Sequence, residues 1–104
     1  MKIKDMKHSA SRASNLMKAL SSETRLLLLC RMSEGEISVN ELAEALDMRS
    51  SSVSQQLALL RKDGFVQTRR EGQTIFYSLD GDEARQVISV LYALYCKTDR
   101  QGQF

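Results

Sequence analysis

The chain has 104 residues and among them no proline, one histidine and only two cysteines. It also lacks low-complexity tracts and internal repeats, so nothing in it marks a boundary, and its length suits one small domain rather than two. Cys30 and Cys96 stand far apart without a CxxC spacing. In a reducing compartment such a pair is not a structural disulfide framework. One histidine, His8, and two separated thiols do not form a four-ligand metal site, so no metal is expected. There is no nucleophile–histidine pair and no glycine-rich cofactor loop, which argues against a thiol enzyme and leaves no cofactor to expect. No apolar run is long enough to span a bilayer, and the charged first residues lack a hydrophobic signal core, so the expected location is the cytoplasm.

The formal net charge is only +2, and its distribution says more than its size. Residues 1–31 carry seven Lys/Arg against two acids, while residues 32–48 carry five acids and no base. Residues 49–79 return to five Lys/Arg against two acids, and residues 80–104 hold three bases and four acids. A local charge run is ordinarily a solvated face. Where basic residues share a segment with a groove-sized helix, they are also where phosphates would lie.

Apolar spacing divides the chain into about five helices and a hairpin. Ala10, Ala13, Leu16, Met17 and Leu20 repeat at helical spacing, giving an amphipathic first helix. Ser21 and Ser22 break it and can cap the second helix, whose continuous Leu26–Cys30 run is expected to be buried on nearly all sides. Ser38 with Glu41 three residues on makes a capping box for a third helix that turns Val39, Leu42, Ala43 and Leu46 inward. Asp47-Met48-Arg49 is the turn, and Ser50 or Ser51 is expected to cap a fourth helix with Val53, Leu57 and Leu60 on its core side. Gly64 stops that helix. Two β-prone runs, Phe65–Thr68 and Ile75–Leu79, flank a turn at Arg70–Gln73. A last helix from about Asp82 to Cys96 carries Ala84, Val87, Ile88, Leu91, Leu94 and Tyr95, widened by Val90 and Tyr92. That stripe is too wide for one packing partner and implies contact with a second subunit.

The order helix, turn, polar-faced helix and basic hairpin over Ile37–Leu79 is that of a winged helix-turn-helix, a unit that enters a DNA groove. The fold class expected is mainly α with a small β-hairpin wing, one domain over 1–104. Within it the helix-turn-helix takes 38–62, the wing 65–79, and the dimerisation helices 9–20 and 82–97. Short polar side chains let a helix approach base edges closely, and Gln can bond adenine through two contacts. Ser51, Ser52, Ser54, Gln55 and Gln56 supply such groups opposite the apolar side. Serine is a mediocre helix former, so four in one helix need a reason beyond solubility. Arg69, Arg70 and Gln73 at the hairpin tip are placed for phosphates or a minor groove. The same fold could serve as a protein–protein module; the basic wing argues against that.

The pattern LxxxLxMxxxSVSQQLxxLRxDGFVxTRREGQxIFYSL, with LSSETRLLLLCRM at residues 20–32, resembles the signature of the ArsR/SmtB family of bacterial winged-helix repressors. The resemblance covers residues 10–96. It implies a homodimer built from the first and last helices, a palindromic double-stranded operator and ligand-controlled release from DNA. By position it puts the recognition contacts on Ser50, Ser51, Ser52, Ser54, Gln55 and Gln56. Gln56 is a departure, since many members carry His there. The positions matching the family's Cys-x-Cys metal motif are Ser38 and Asn40, neither a soft ligand, and the last helix has no His for the family's other metal site.

The residues leave two readings of the cysteines open. Free Cys often packs as a small hydrophobe, and both thiols sit late in their helices, where the dipole disfavours a thiolate. The resemblance adds the other reading: Cys30 and Cys96 match the pair of the persulfide-sensing BigR/SqrR-type branch. In that branch reactive sulfur species link the two thiols of one subunit, DNA is released, and sulfide-detoxification genes are switched. Response to other oxidants or to a metal is the alternative within the family.

Overall fold

The computed structural model describes residues 2–96. The order is α1 (Ile3–Leu20), α2 (Glu23–Met32), β1 (Ile37–Ser38), α3 (Val39–Leu46), α4 (Ser50–Lys62), β2 (Val66–Glu71), β3 (Thr74–Leu79) and α5 (Glu83–Leu91). A π-helical turn, Tyr92–Cys96, continues α5. The strands form one antiparallel sheet in the order β1-β3-β2. The architecture is thus five helices and a small three-stranded wing sheet, as a winged helix-turn-helix requires. Lys97, expected to close the last helix, and the tail Thr98–Phe104, expected to fray, lie outside the described residues.

The core forms where apolar spacing on each element converges. Leu28, Leu29 and Met32 of α2 are fully buried, and against them pack Leu42 of α3, Val53, Leu57 and Leu60 of α4, and Ile37, Val66 and Leu79 of the sheet. The i, i+4, i+7 spacing of the α4 residues puts them on one stripe, so α4 can bury that side and leave the other free. On the inner face of the sheet, Ile37 pairs with Tyr77 and Val66 with Leu79.

Local chemistry sets most of the helix ends. The Ser22 hydroxyl accepts from the Arg25 backbone N–H and starts α2. The side chain of Arg25 turns back and donates to the carbonyls of Ala19 (3.1 Å) and Lys18 (2.9 Å), so a cation satisfies the open C-terminus of α1. The Ser38–Glu41 capping box forms in both directions. Asp47 closes α3 in the left-handed region at φ 52. Gly64, at φ 84, lets the chain leave α4 and enter β2, its N–H donating to the Arg61 carbonyl.

Five expectations change. α1 begins at Ile3 rather than near Ala10, because its charged first turns need no buried partner to stay helical. Leu27 is 47% exposed and Leu26 and Cys30 only half-buried, since a ten-residue helix turns even a continuous apolar run outward somewhere. Neither Ser50 nor Ser51 caps α4: Arg49 occupies the cap position, without a side-chain bond. β1 was not anticipated, being two residues long and held by β3. The hairpin loop is shorter than expected, because Glu71 pairs with Thr74 and leaves Gly72-Gln73 as a two-residue turn. Gly72 at φ 62 supplies the positive φ such a turn needs.

Candidate nucleic-acid interface and thiol pair

α3 and α4 are locked as a pair. Ser50 Oγ donates to Asn40 Oδ1 at 3.1 Å, and Met48 N–H donates to the Ala43 carbonyl at 2.8 Å across the turn. Ser38 and Asn40, the positions of the family's metal cysteines, are therefore occupied with structural work. Ser38 caps α3, and Asn40 holds the first residue of α4. Among the described residues no three His, Cys, Asp or Glu side chains are grouped to hold a metal.

The expected reading face of α4 divides in two. Ser51, Ser54 and Gln55 are exposed together, one turn apart, on the side away from Val53, Leu57 and Leu60. Ser50 is exposed as well but spends its hydroxyl proton on Asn40. Ser52 and Gln56 are half-buried, since they flank the core stripe at Val53 and Leu57. Gln56 Oε1 is buried without a hydrogen-bond partner. Gln56 lies at the edge of the polar face rather than at its centre.

The hairpin arginines also part company. Residues alternate across a strand, so Arg70 shares the inner face with Val66, the face packed on α4, while Arg69 points to the outer face. Arg70 is exposed next to the turn, its Nε donating to the Gly72 carbonyl at 3.0 Å, and Gln73 is exposed in the turn itself. Arg69 is not at the tip. It sits within β2 and donates from Nε and Nη2 to Glu36 (3.1 and 2.6 Å) and from Nη1 to Glu71 Oε2 (2.9 Å). Its guanidinium also lies over the Phe76 ring, 4.9 Å from the centroid. The Arg69 hydrogen bond holds the Glu36 carboxyl below its ordinary range, and both carboxylates raise Arg69 further. Glu36 and Phe76 were not singled out from sequence; their part depends on β1 lying beside β3.

The two cysteines belong to different elements, Cys30 to α2 and Cys96 to the π-helical turn that continues α5. α2 packs against α5, and Arg85 of α5 donates from Nη1 to the Ser33 carbonyl at the end of α2 (2.8 Å). Cys30 is half-buried near that end, and Cys96 is exposed at the close of the π-helical turn. Burial pushes the Cys30 thiol up, and charge on Cys96 and then on Glu34 pushes it further. Both are free thiols in this structure.

A capped helix, a left-handed turn and a second helix with a polar outer face, followed by a hairpin, define a DNA-binding winged helix-turn-helix. Residues 22–68 match the sequence profile of "Bacterial regulatory protein, arsR family". The transcriptional activator HlyU of Vibrio cholerae is 41% identical over 100 residues, spanning 96% of this chain and 93% of that relative. The biofilm growth-associated repressor of Xylella fastidiosa is 41% identical over 98 residues, 94% of this chain and 86% of that relative. The solved structure of reduced HlyU from Vibrio cholerae superposes with a TM-score of 0.85 at 42% identity, covering 90% of this chain and 99% of that one. The repressor BigR from Xylella fastidiosa gives 0.82 at 42% identity, with 92% and 98% covered. The chain belongs to the ArsR family of bacterial transcriptional regulators, among relatives of the BigR and HlyU type, and these relatives are regulators rather than enzymes. Among the described residues no helix is long and apolar enough to cross a membrane.

Proposed function

We propose that this regulator is a homodimeric repressor that releases a palindromic operator when reactive sulfur species link Cys30 to Cys96, and that it governs sulfide-detoxification genes. The observation that carries the reading is the thiol pair itself: one half-buried cysteine late in α2 and one exposed cysteine at the end of the turn that continues α5, the helix packed on α2. One solved neighbour is described as reduced HlyU, and another relative is a repressor by name.

The chemistry is a double exchange. The exposed Cys96 thiolate attacks a sulfane sulfur of an organic polysulfide, and an organic thiolate leaves. Cys30 then attacks the far end of the attached sulfur chain and expels the second thiolate. Two thiols are oxidised to one polysulfide bridge, and two molecules of organic thiol carry away the protons. A direct disulfide demands Cα atoms within a narrow range, while a longer sulfur chain relaxes that demand. The inducer expected is therefore a persulfide or polysulfide rather than peroxide.

A bridge ties α2 to the end of α5. The apolar side chains exposed on the isolated chain lie mainly along α1 and α5 with its π-helical turn: Ile3, Met17, Val90, Leu94 and Tyr95. Pairing these helices with a second copy covers them and spaces two α4 helices for successive major grooves. Shifting α5 changes that spacing, with a coupling of about 1–3 kcal/mol, common for such switches. Ser50, Ser51, Ser54 and Gln55 meet the groove in this reading, Ser52 and Gln56 back them, and Arg70 and Gln73 touch the backbone.

The test is a gel shift of reduced and polysulfide-treated protein with the product mass measured in parallel. Release accompanied by an intramolecular bridge is expected, and Cys30→Ser or Cys96→Ser should bind DNA yet fail to respond. An inducible single mutant removes the paired-thiol mechanism, and equal bridging by peroxide removes the selectivity.

A further inference from the structure

The wing carries two adjacent arginines, and its surroundings treat them oppositely. Arg70 extends beside the turn on the α4 side of the sheet, bound among the described residues to a backbone carbonyl alone. Arg69 has all three guanidinium nitrogens on carboxylates, two on Glu36 and one on Glu71. Its fourth contact is the Phe76 ring directly across the β2–β3 ladder. The three charges sum to one negative, so the outer face of the wing repels phosphate although it contains an arginine. Glu36 belongs to the segment entering β1, and Arg69 to β2. The ion pair therefore spans β3, which lies between those two strands.

We propose that Glu36 and Glu71 withhold Arg69 from DNA, so that Arg69 fastens the wing to the β1 segment, Arg70 is the wing's phosphate-binding cation, and the two acids limit how tightly and how salt-dependently the protein binds its operator. The inference rests on the wing touching the DNA backbone, as proposed above. Each phosphate neutralised by a cation steepens the fall of log affinity with log salt by about 0.9. An arginine already neutralised by carboxylates adds nothing to that slope. Glu36 is a lever on affinity that touches no DNA: converting its carboxylate to an amide keeps the shape and removes the charge that competes with phosphate.

The experiment measures the salt dependence of binding by fluorescence anisotropy, using the reduced full-length chain and a duplex that the wild-type protein selects from a random pool. Thermal melts of every variant confirm folding. Arg70→Ala should flatten the slope by about one, which tests the wing contact separately. Glu36→Gln combined with Glu71→Gln, which removes both carboxylates from Arg69, should steepen the slope by about one and tighten binding severalfold at low salt. Adding Arg69→Ala to that pair should abolish the gain. An unchanged slope in the Glu36→Gln, Glu71→Gln variant overturns the inference. So does a gain that survives in the triple variant, because the acids then act by repelling DNA and not by holding Arg69. An unaffected Arg70→Ala overturns the wing contact instead.

Discussion

Cys30 is a thiol that its surroundings keep protonated. Burial contributes most, then the charge of Cys96, then that of Glu34. Since the thiolate is the nucleophile, the proposed mechanism makes Cys30 the slower partner and the exposed Cys96 the point of entry. In alkylation followed by mass spectrometry, the midpoint for Cys30 should lie above the ordinary thiol range of about 8.5. Cys96→Ser should lower that midpoint without restoring the ordinary value, because burial, the larger cause, remains. An unchanged midpoint in that variant would mean the two sulfurs do not interact. The linkage has a definite sign: the unfolded chain ionises first, so stability declines as pH rises from the ordinary thiol range toward the raised folded value. Glu36 runs the other way. Its depressed carboxyl supports the clamp above the usual glutamate range and releases Arg69 as pH falls through its lowered value.

Among the elements, those governed by neighbours in sequence were legible and those governed by distant partners were not. The capping box of α3 could be read from Ser38 and Glu41 because its hydrogen bonds close within four residues. The α4 stripe followed from the spacing of Val53, Leu57 and Leu60, and the hairpin from its glycine turn. β1 could not be read, since two residues carry no periodicity and exist as a strand only beside β3. Nor could the π-helical turn that ends in Cys96. Ser38→Ala should cost about 1 kcal/mol in a denaturant melt, the usual value of such a cap. An unchanged midpoint would mean that Glu41 or water replaces the hydroxyl. The clamp at Arg69 belongs to the second kind: the arginine was visible, but its acids come from β2 itself and from a segment about thirty residues upstream, beside the intervening strand.

For the molecule as a whole, the unresolved demand is apolar surface. Val90 and Leu94 are 57% and 60% exposed on the isolated chain, an arrangement a second copy would relieve. Val90→Glu with Leu94→Glu should convert a dimer into a monomer by light scattering and weaken DNA binding by losing the second half-site. A dimer of undiminished stability would move the interface elsewhere. In the proposed reading, DNA binding and thiol sensing would be coupled through α5 and the turn that follows it.

Composition and local spacing were enough for the class of fold, the helix-turn-helix, the pair of cysteines and the absence of soft ligands at Ser38 and Asn40, because each depends on residue type and on neighbours a few positions away. How far each cysteine is exposed, which of the wing arginines is held by carboxylates, and that Gln56 lies at the edge of the polar face of α4 were settled by the folded chain. Those facts depend on α2 packing on α5, β3 lying between β1 and β2, and α4 turning by core contacts. Such contacts join residues far apart in the chain, and no local pattern encodes them.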